Sequence, residues 1–351
     1  MFRWLACILL IGTAMAADRE TVIFNTDSGL FGDDGAALVM LLRSPQSVNL
    51  AGITIVPGNV WPKQGSEYMF HILDLLHRPR VPLYAGAQAP LVHTAAMARE
   101  AARRWDKLEF AGAFDEDPAA VQPPPGAQLT GRKPPAENAV DFIISTIEHA
   151  PGQVTFLELG PMTNLAMALR LRPDLEMRIK RLVFMGGNVH VGGNASQAAE
   201  FNFWFDPEAA QIVLRSRIPE KVMFALDICN TAKLRKAEFD RIANAHTPIT
   251  DLFREDLGNR YPGFLKHPEA VGYMWDSLAA AWLLDPGFVT GSETDYLDVV
   301  TTWGQSYGAT VPLDRTLAPA ATPVTVMLTL NFDRVFALYA SLLTRSSEPQ
   351  P

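Results

Sequence analysis

Residues 25–35 read Asn-Thr-Asp-Ser-Gly-Leu-Phe-Gly-Asp-Asp-Gly and place three carboxylates, Asp27, Asp33 and Asp34, within eight positions. Like charges this close repel, and a bound cation relieves the repulsion. Ca²⁺ takes six to eight oxygen ligands. The loop lacks the spacing and closing glutamate of an EF-hand, so a calcium site here would have another design. Asp33 and Asp34 also open an apolar helical pattern at residues 35–43, and acids favour a helix start without any ligand. On the loop alone both readings stand.

The elements that would hold this loop follow from the apolar pattern. Short β-rich runs fall at residues 21–24, 51–56, 154–159, 181–185, 221–227 and 324–330. Helical patterns occupy residues 35–43, 66–77, 163–172, 236–245, 277–284 and 332–343. This alternation predicts an α/β fold: an open, mainly parallel, Rossmann-like sheet with helices on both faces. Residues 286–323 read as an antiparallel excursion with strands at 295–303 and 309–312. Residues 88–137, with three consecutive prolines at 123–125, read as a long surface or lid segment. In open parallel sheets, ligands bind beyond the carboxyl ends of the strands. The segments that follow the predicted strands are polar and glycine-rich: the 25–35 loop, Gly58-Asn59, residues 160–164, and residues 186–202. Their convergence on one edge predicts a site.

The first 16 residues have Arg3, an apolar run at 5–11 and Ala14-Met15-Ala16, the pattern of a cleavable secretory signal. That predicts a periplasmic or secreted protein with one folded domain over 17–344 and a disordered tail at 345–351. After the leader, Cys229 is the only cysteine, so no intrachain disulfide is available. The formal charge of −8, without a basic cluster, argues against a nucleic-acid polymer as partner. No later run reaches membrane length.

The loop also resembles the DxDxGxDD signature of the nucleoside hydrolases. Further stretches follow in the family's order: GITIVPGNV (52–60), VPLYAGAQAPL (81–91), LGPMTNLAMAL (159–169), MGGNVHVGGN (185–194), AEFNFWFDPEAA (199–210) and WDSLAAAWLLDP (275–286). The resemblance implies the family's open α/β sheet, a bound Ca²⁺ and hydrolysis of the N-glycosidic bond of ribonucleosides. It implies that Asp27 is both metal ligand and general base for the attacking water. Asp34, the carbonyl of Thr163 and Asp276 would complete the metal set. Asp33, Asn59, Asn194, Glu200 and Asn202 would hold the ribose hydroxyls, with Met185 packed near the sugar. By resemblance the protein is also expected to form a homodimer. From the residues alone, Glu200 and Asn202 alternate on one face of an extended segment, and Asn194-Ala-Ser196 matches a glycosylation sequon.

Three departures from the family pattern bear on substrate. Leu30-Phe31-Gly32 makes the loop two residues longer than the signature, and should bulge at the pocket rim with Phe31 near substrate or lid. Asn25 stands where Asp is usual. Trp275 stands where base-nonspecific members carry a His that protonates the leaving base, and this resembles the purine-specific branch. Trp105 is its expected partner, so that two indoles sandwich a purine. His267 is a nearby alternative proton source. A hydrolase of other N-ribosides, pyrimidine or nicotinamide riboside, and a non-catalytic periplasmic nucleoside or sugar binder remain as alternatives.

Overall fold

A computed structural model describes residues 19–105, 110–260, 269 and 271–346. The predicted leader, His267 and residues 347–351 lie outside the described residues. Eight strands build one sheet: β1 Glu20–Thr26, β2 Val48–Ile55, β3 Leu83–Ala85, β4 Val154–Glu158, β5 Arg181–Met185, β6 Lys221–Phe224, β7 Val289–Asp295 and β8 Val324–Leu330. Their order is β3-β2-β1-β4-β5-β6-β8-β7. All neighbours are parallel except β8 with β7. The chain winds outwards from the centre in both directions, so the winding reverses between β1 and β4. That is where a doubly wound sheet opens a crevice.

The strands read as unbroken apolar runs because both faces are covered. In β1, Val22 and Phe24 face one layer, which includes the helices Ala36–Leu42, Trp275–Leu284 and Phe332–Leu343. Ile23, between them, faces the other layer, with the helices Ala139–His149, Thr163–Leu171 and Pro207–Leu214. The twofold periodicity of side chains along a strand produces this split.

The antiparallel excursion differs from expectation in its first strand. β7 begins at Val289 and joins the main sheet, while Leu297–Val299 and Thr310–Pro312 form the separate two-stranded ribbon. The long segment after β3 carries a helix, Ala95–Arg104, whose N-cap Thr94 accepts from the Met97 amide at 3.2 Å. Further on it is tied down by side chains of the helix Pro62–Leu75: Gln64 bonds to Gln122, and Glu67 accepts from Thr130. In the predicted tail, Arg345 is described and donates to the Arg43 carbonyl at 3.0 Å. Among the described residues no helix is long and apolar enough to cross a membrane.

Candidate active site

The loop after β1 enters the crevice and buries Asp27 completely. Asp27 Oδ2 accepts the backbone N–H of Asn59 at 2.8 Å, and Oδ1 accepts the Asn59 carboxamide at 3.0 Å. Gly58 makes this possible, since a Cβ there would lie 2.0 Å from Asp27 Oδ2. Glycine is therefore required by the close approach of the β2 loop to the carboxylate.

The two additional residues of the loop do not bulge into the pocket. Ser28 (φ 30°), Leu30 (φ 68°) and Gly32 (φ 22°) all have positive φ, so the chain kinks twice through residues 28–32 before it enters the helix Ala36–Leu42. Each left-handed non-glycine residue costs roughly 1–2 kcal/mol, and such strained backbone collects at functional sites. The turn sends Phe31 inwards, where it is fully buried, edge-on to Phe253 at 5.7 Å. The expectation of Phe31 at the rim is thus corrected: burying a large apolar ring outweighs leaving it beside a polar site. Gly32 takes the rim position and its N–H donates to Asp256 at 2.8 Å.

This turn brings Asp33 and Asp34 to Asp276, the second residue of the helix Trp275–Leu284. Carboxylate oxygens of the three lie within 4.8 Å of one another. Asp34 also accepts the Thr26 hydroxyl. Asp33, expected beside the ribose, contributes to this cluster as well as to the cavity wall. Asp27 sits next to the group rather than within it. Burial pushes its carboxyl up, and the charges of Asp34 and Asp33 push it further. Burial, then Asp33, Asp34 and Asp27, does the same to Asp276. Thr163 is buried at the start of its helix, with its hydroxyl donating to Asp206 at 2.6 Å.

The cluster adjoins a cavity of about 570 Å³, a volume ordinary for a small-molecule site. Its polar end is lined by Asp33, Asn59, Met185, Asn194, Glu200, Asn202 and Asp276. Glu200 and Asn202 do not lie on an extended segment. Glu200 is the N-cap of the helix Phe201–Phe205, accepting the N–H groups of Asn202 and Phe203 at 2.8 and 3.1 Å and that of Gly187 at 2.8 Å. Burial lifts its carboxyl to about 7, against the amide donors that favour the ionised form. The Asn202 carboxamide donates to the Met185 carbonyl at 3.1 Å, fixing β5 to this helix. Asn194 accepts the Phe201 amide at 2.9 Å.

The other end of the cavity is apolar and aromatic, lined by Phe110, Phe201, Leu234, Leu257, Tyr273 and Trp275. Trp275 and Tyr273 stack with their planes nearly parallel, centroids 5.1 Å apart and 4° between them. Phe110 and Phe201 pair at 5.2 Å. Trp105 is not in this cavity. The helix Ala95–Arg104 carries it to a separate depression, where it meets Trp303 at 5.4 Å. In place of two indoles, this end of the cavity carries one indole, one phenol and two phenyl rings.

A buried network missed in the sequence supports the loop from below. Asn25 donates to Glu158 and accepts from Thr54 at 2.7 Å and from Asn164 at 2.8 Å. Asn164 also donates to the Ile55 carbonyl at 3.1 Å. Four crevice segments, including the start of the Thr163 helix, are thereby joined. Burial holds the Glu158 carboxyl well above the usual carboxylate range. Asn25 supplies Glu158 with a donor, where an aspartate would set two carboxyl groups in contact. The available signal was a lone acid in the run Val-Thr-Phe-Leu-Glu at 154–158.

A site that gathers desolvated carboxylates at one end and flat rings at the other is built for a polar sugar joined to a planar base. Residues 22–337 match the model of the inosine-uridine preferring nucleoside hydrolase family. The chain belongs to this family, whose members are metal-dependent N-glycosidases. An uncharacterized protein of Schizosaccharomyces pombe is 34% identical over 78% of this chain and 83% of its own length. A pyrimidine-specific ribonucleoside hydrolase of Salmonella paratyphi B is 33% identical over 83% of this chain and 87% of its own. Among solved structures, a purine-preferring ribonucleoside hydrolase from Gardnerella vaginalis superposes with a TM-score of 0.73 at 25% identity, covering 93% of this chain and 98% of that one. A plant nucleoside hydrolase shares the fold with a TM-score of 0.78 at 23% identity, covering 93% and 99%.

Proposed function

We propose that this N-glycosidase acts on purine ribonucleosides, releasing free base and ribose, with Ca²⁺ as its metal. The observation that carries the base preference is the parallel Tyr273–Trp275 stack in a base end without His or carboxylate among its described residues. Stacking on an aromatic face is worth roughly 1–3 kcal/mol per base and grows with ring area. The donor set fits a hard cation: Asp33, Asp34 and Asp276 converge, buried or half-buried, and no basic side chain lines the cavity among the described residues. Asp33, Asp34 and Asp276 would hold the ion, with Asp27 and the Thr163 carbonyl beside them. When bound, the ion supplies Lewis-acid polarisation of an oxygen ligand.

The chain's own groups do the rest. Asp27, oriented by two donors from Asn59, takes the proton of the attacking water. Asn59, Asn194, Glu200 and Asn202 grip the ribose hydroxyls, and Met185 packs against the sugar. Hydrolysis of a glycoside passes through an oxocarbenium-like state, and a ring of carboxylates stabilises its developing positive charge. Export through residues 1–16 and assembly as a homodimer complete the reading, resting on the sequence and the family likeness.

A second reading, pyrimidine preference, is favoured by the relative named for it at 33% identity. Base release from inosine, adenosine, guanosine, uridine and nicotinamide riboside separates the two. A kcat/KM for uridine above that for every purine nucleoside would overturn the purine proposal.

A further inference from the structure

A second cavity, of about 160 Å³, shares no lining residue with the catalytic one. Its walls are rings, Trp105, Trp204, Trp303 and Tyr307, and its lining includes the carboxamides of Gln197 and Gln305. We propose that it binds a free aminopurine base, independently of the catalytic pocket.

Three observations support this. First, the ring wall is set in place before any ligand arrives. The Tyr307 hydroxyl donates to both carboxylate oxygens of Glu208 at 2.9 Å, which fixes its plane. Trp204 is buried, edge-on to His93 at 4.8 Å, and its carbonyl accepts His93 Nδ1–H at 3.0 Å. Trp303 meets Tyr307 at 5.2 Å and Trp105 at 5.4 Å, yet remains 36% exposed. A large indole left open beside other rings provides an uncovered stacking face.

Second, the side-chain amides of Gln197 and Gln305 make no hydrogen bond to other described residues. A carboxamide offers one donor beside one acceptor, the pair that matches the N6/N7 edge of adenine. The rings around Trp303 are inclined to it, Trp105 by 56° and Tyr307 by 70°, so a flat ligand stacks on one face and meets the other rings at their edges. Third, the size suits a bare base: the space is well under a third of the catalytic cavity's.

The two cavities share one loop. Asn194 and Glu200 face the catalytic cavity, while Ser196, Gln197 and Ala198 line the second. A base held on this loop acts on the segment that grips the ribose, so occupancy is expected to change KM.

Equilibrium dialysis of the full chain with adenine tests the assignment. Two sites per chain are expected in wild type. Trp303→Ala should abolish the second site and keep nucleoside turnover within twofold of wild type. Trp275→Ala should weaken the catalytic-pocket site and leave the second. Gln305→Ala should weaken the second site about tenfold for adenine while changing little for unsubstituted purine. Absence of a Trp303-dependent site in wild type, or two sites in Trp303→Ala, overturns the proposal. Loss of the Trp275-dependent site alone would count against the catalytic reading instead.

Discussion

The two ends of the catalytic cavity are built differently. The carboxylate end stands on the rigid edge of the sheet: Asp27 follows β1, Asn59 follows β2, Met185 closes β5, and the network of Asn25, Glu158 and Asn164 braces them underneath. The aromatic end is assembled from connecting segments, with Phe110 from the long segment after β3 and Tyr273 and Trp275 from the approach to the Trp275–Leu284 helix. Reaction chemistry needs atoms held to fractions of an ångström. Base selection needs only an apolar surface of the right shape, which loops can vary without disturbing the sheet. The contrast predicts that changes at the first end abolish turnover and that changes at the second redistribute it among substrates.

The largest effect tests the rigid end. Asp27→Ala should lower kcat by roughly 10³-fold or more, as expected for loss of a general base, while nucleoside binding by calorimetry persists. Removing divalent cations with a chelator should also stop base release and lower the melting temperature, since Asp34 and Asp276 then lose the charge that compensates their burial. Added Ca²⁺ should restore both. At the loop-built end, Trp275→Ala should reduce kcat/KM for inosine by about 10-fold or more, the size of one base stack, and reduce that for uridine less. Equal losses on both substrates would remove the division of labour between the two ends.

Smaller effects test the supports. Asn25→Asp sets a carboxylate against Glu158 and should destabilise the fold by about 2–4 kcal/mol, measured by denaturant unfolding, with Glu158→Gln recovering part of the loss. His93 gives a pH signature: burial lowers it from 6.5 to about 4. Between those values the unfolded chain binds the proton and the folded chain does not. Stability from this group is therefore complete above about pH 6.5, falls as the pH falls, and is lost below about pH 4, a total of roughly 3 kcal/mol. His93→Gln should flatten the stability profile in that window relative to wild type. Identical slopes would show that His93 is not the group responsible.

The sheet was legible because its strands are buried on both faces and read as short apolar runs. β3 was missed as a strand, since Leu83–Ala85 is only three residues long and is bounded by Pro82 and Gly86. The polar end of the site was legible because its residues fall at strand exits, where fold geometry dictates convergence. The aromatic end was less so. Trp275 adjoins a cluster acid and was found. Trp105 was assigned to the wrong cavity, because nothing in its local sequence shows how the helix before it lies across the surface. Phe31 was misplaced for a related reason: which way an inserted ring turns depends on Phe253, more than two hundred positions away. Asn25 was noted as a departure, but its pairing with Glu158 escaped notice because it is a contact between strands far apart in the chain.

The inserted turn at Leu30-Phe31-Gly32 also limits how this loop can evolve. Residues that follow it enter a helix, where each position lost rotates the remainder by about 100°. A single deletion would swing Asp33 and Asp34 away from Asp276, and Phe31 away from its place in the core. The loop can therefore change length only as a unit, together with the apolar socket that receives Phe31. Lineages with the longer loop should carry an aromatic or bulky apolar partner at the position of Phe253, and those with the shorter loop should have no need of one.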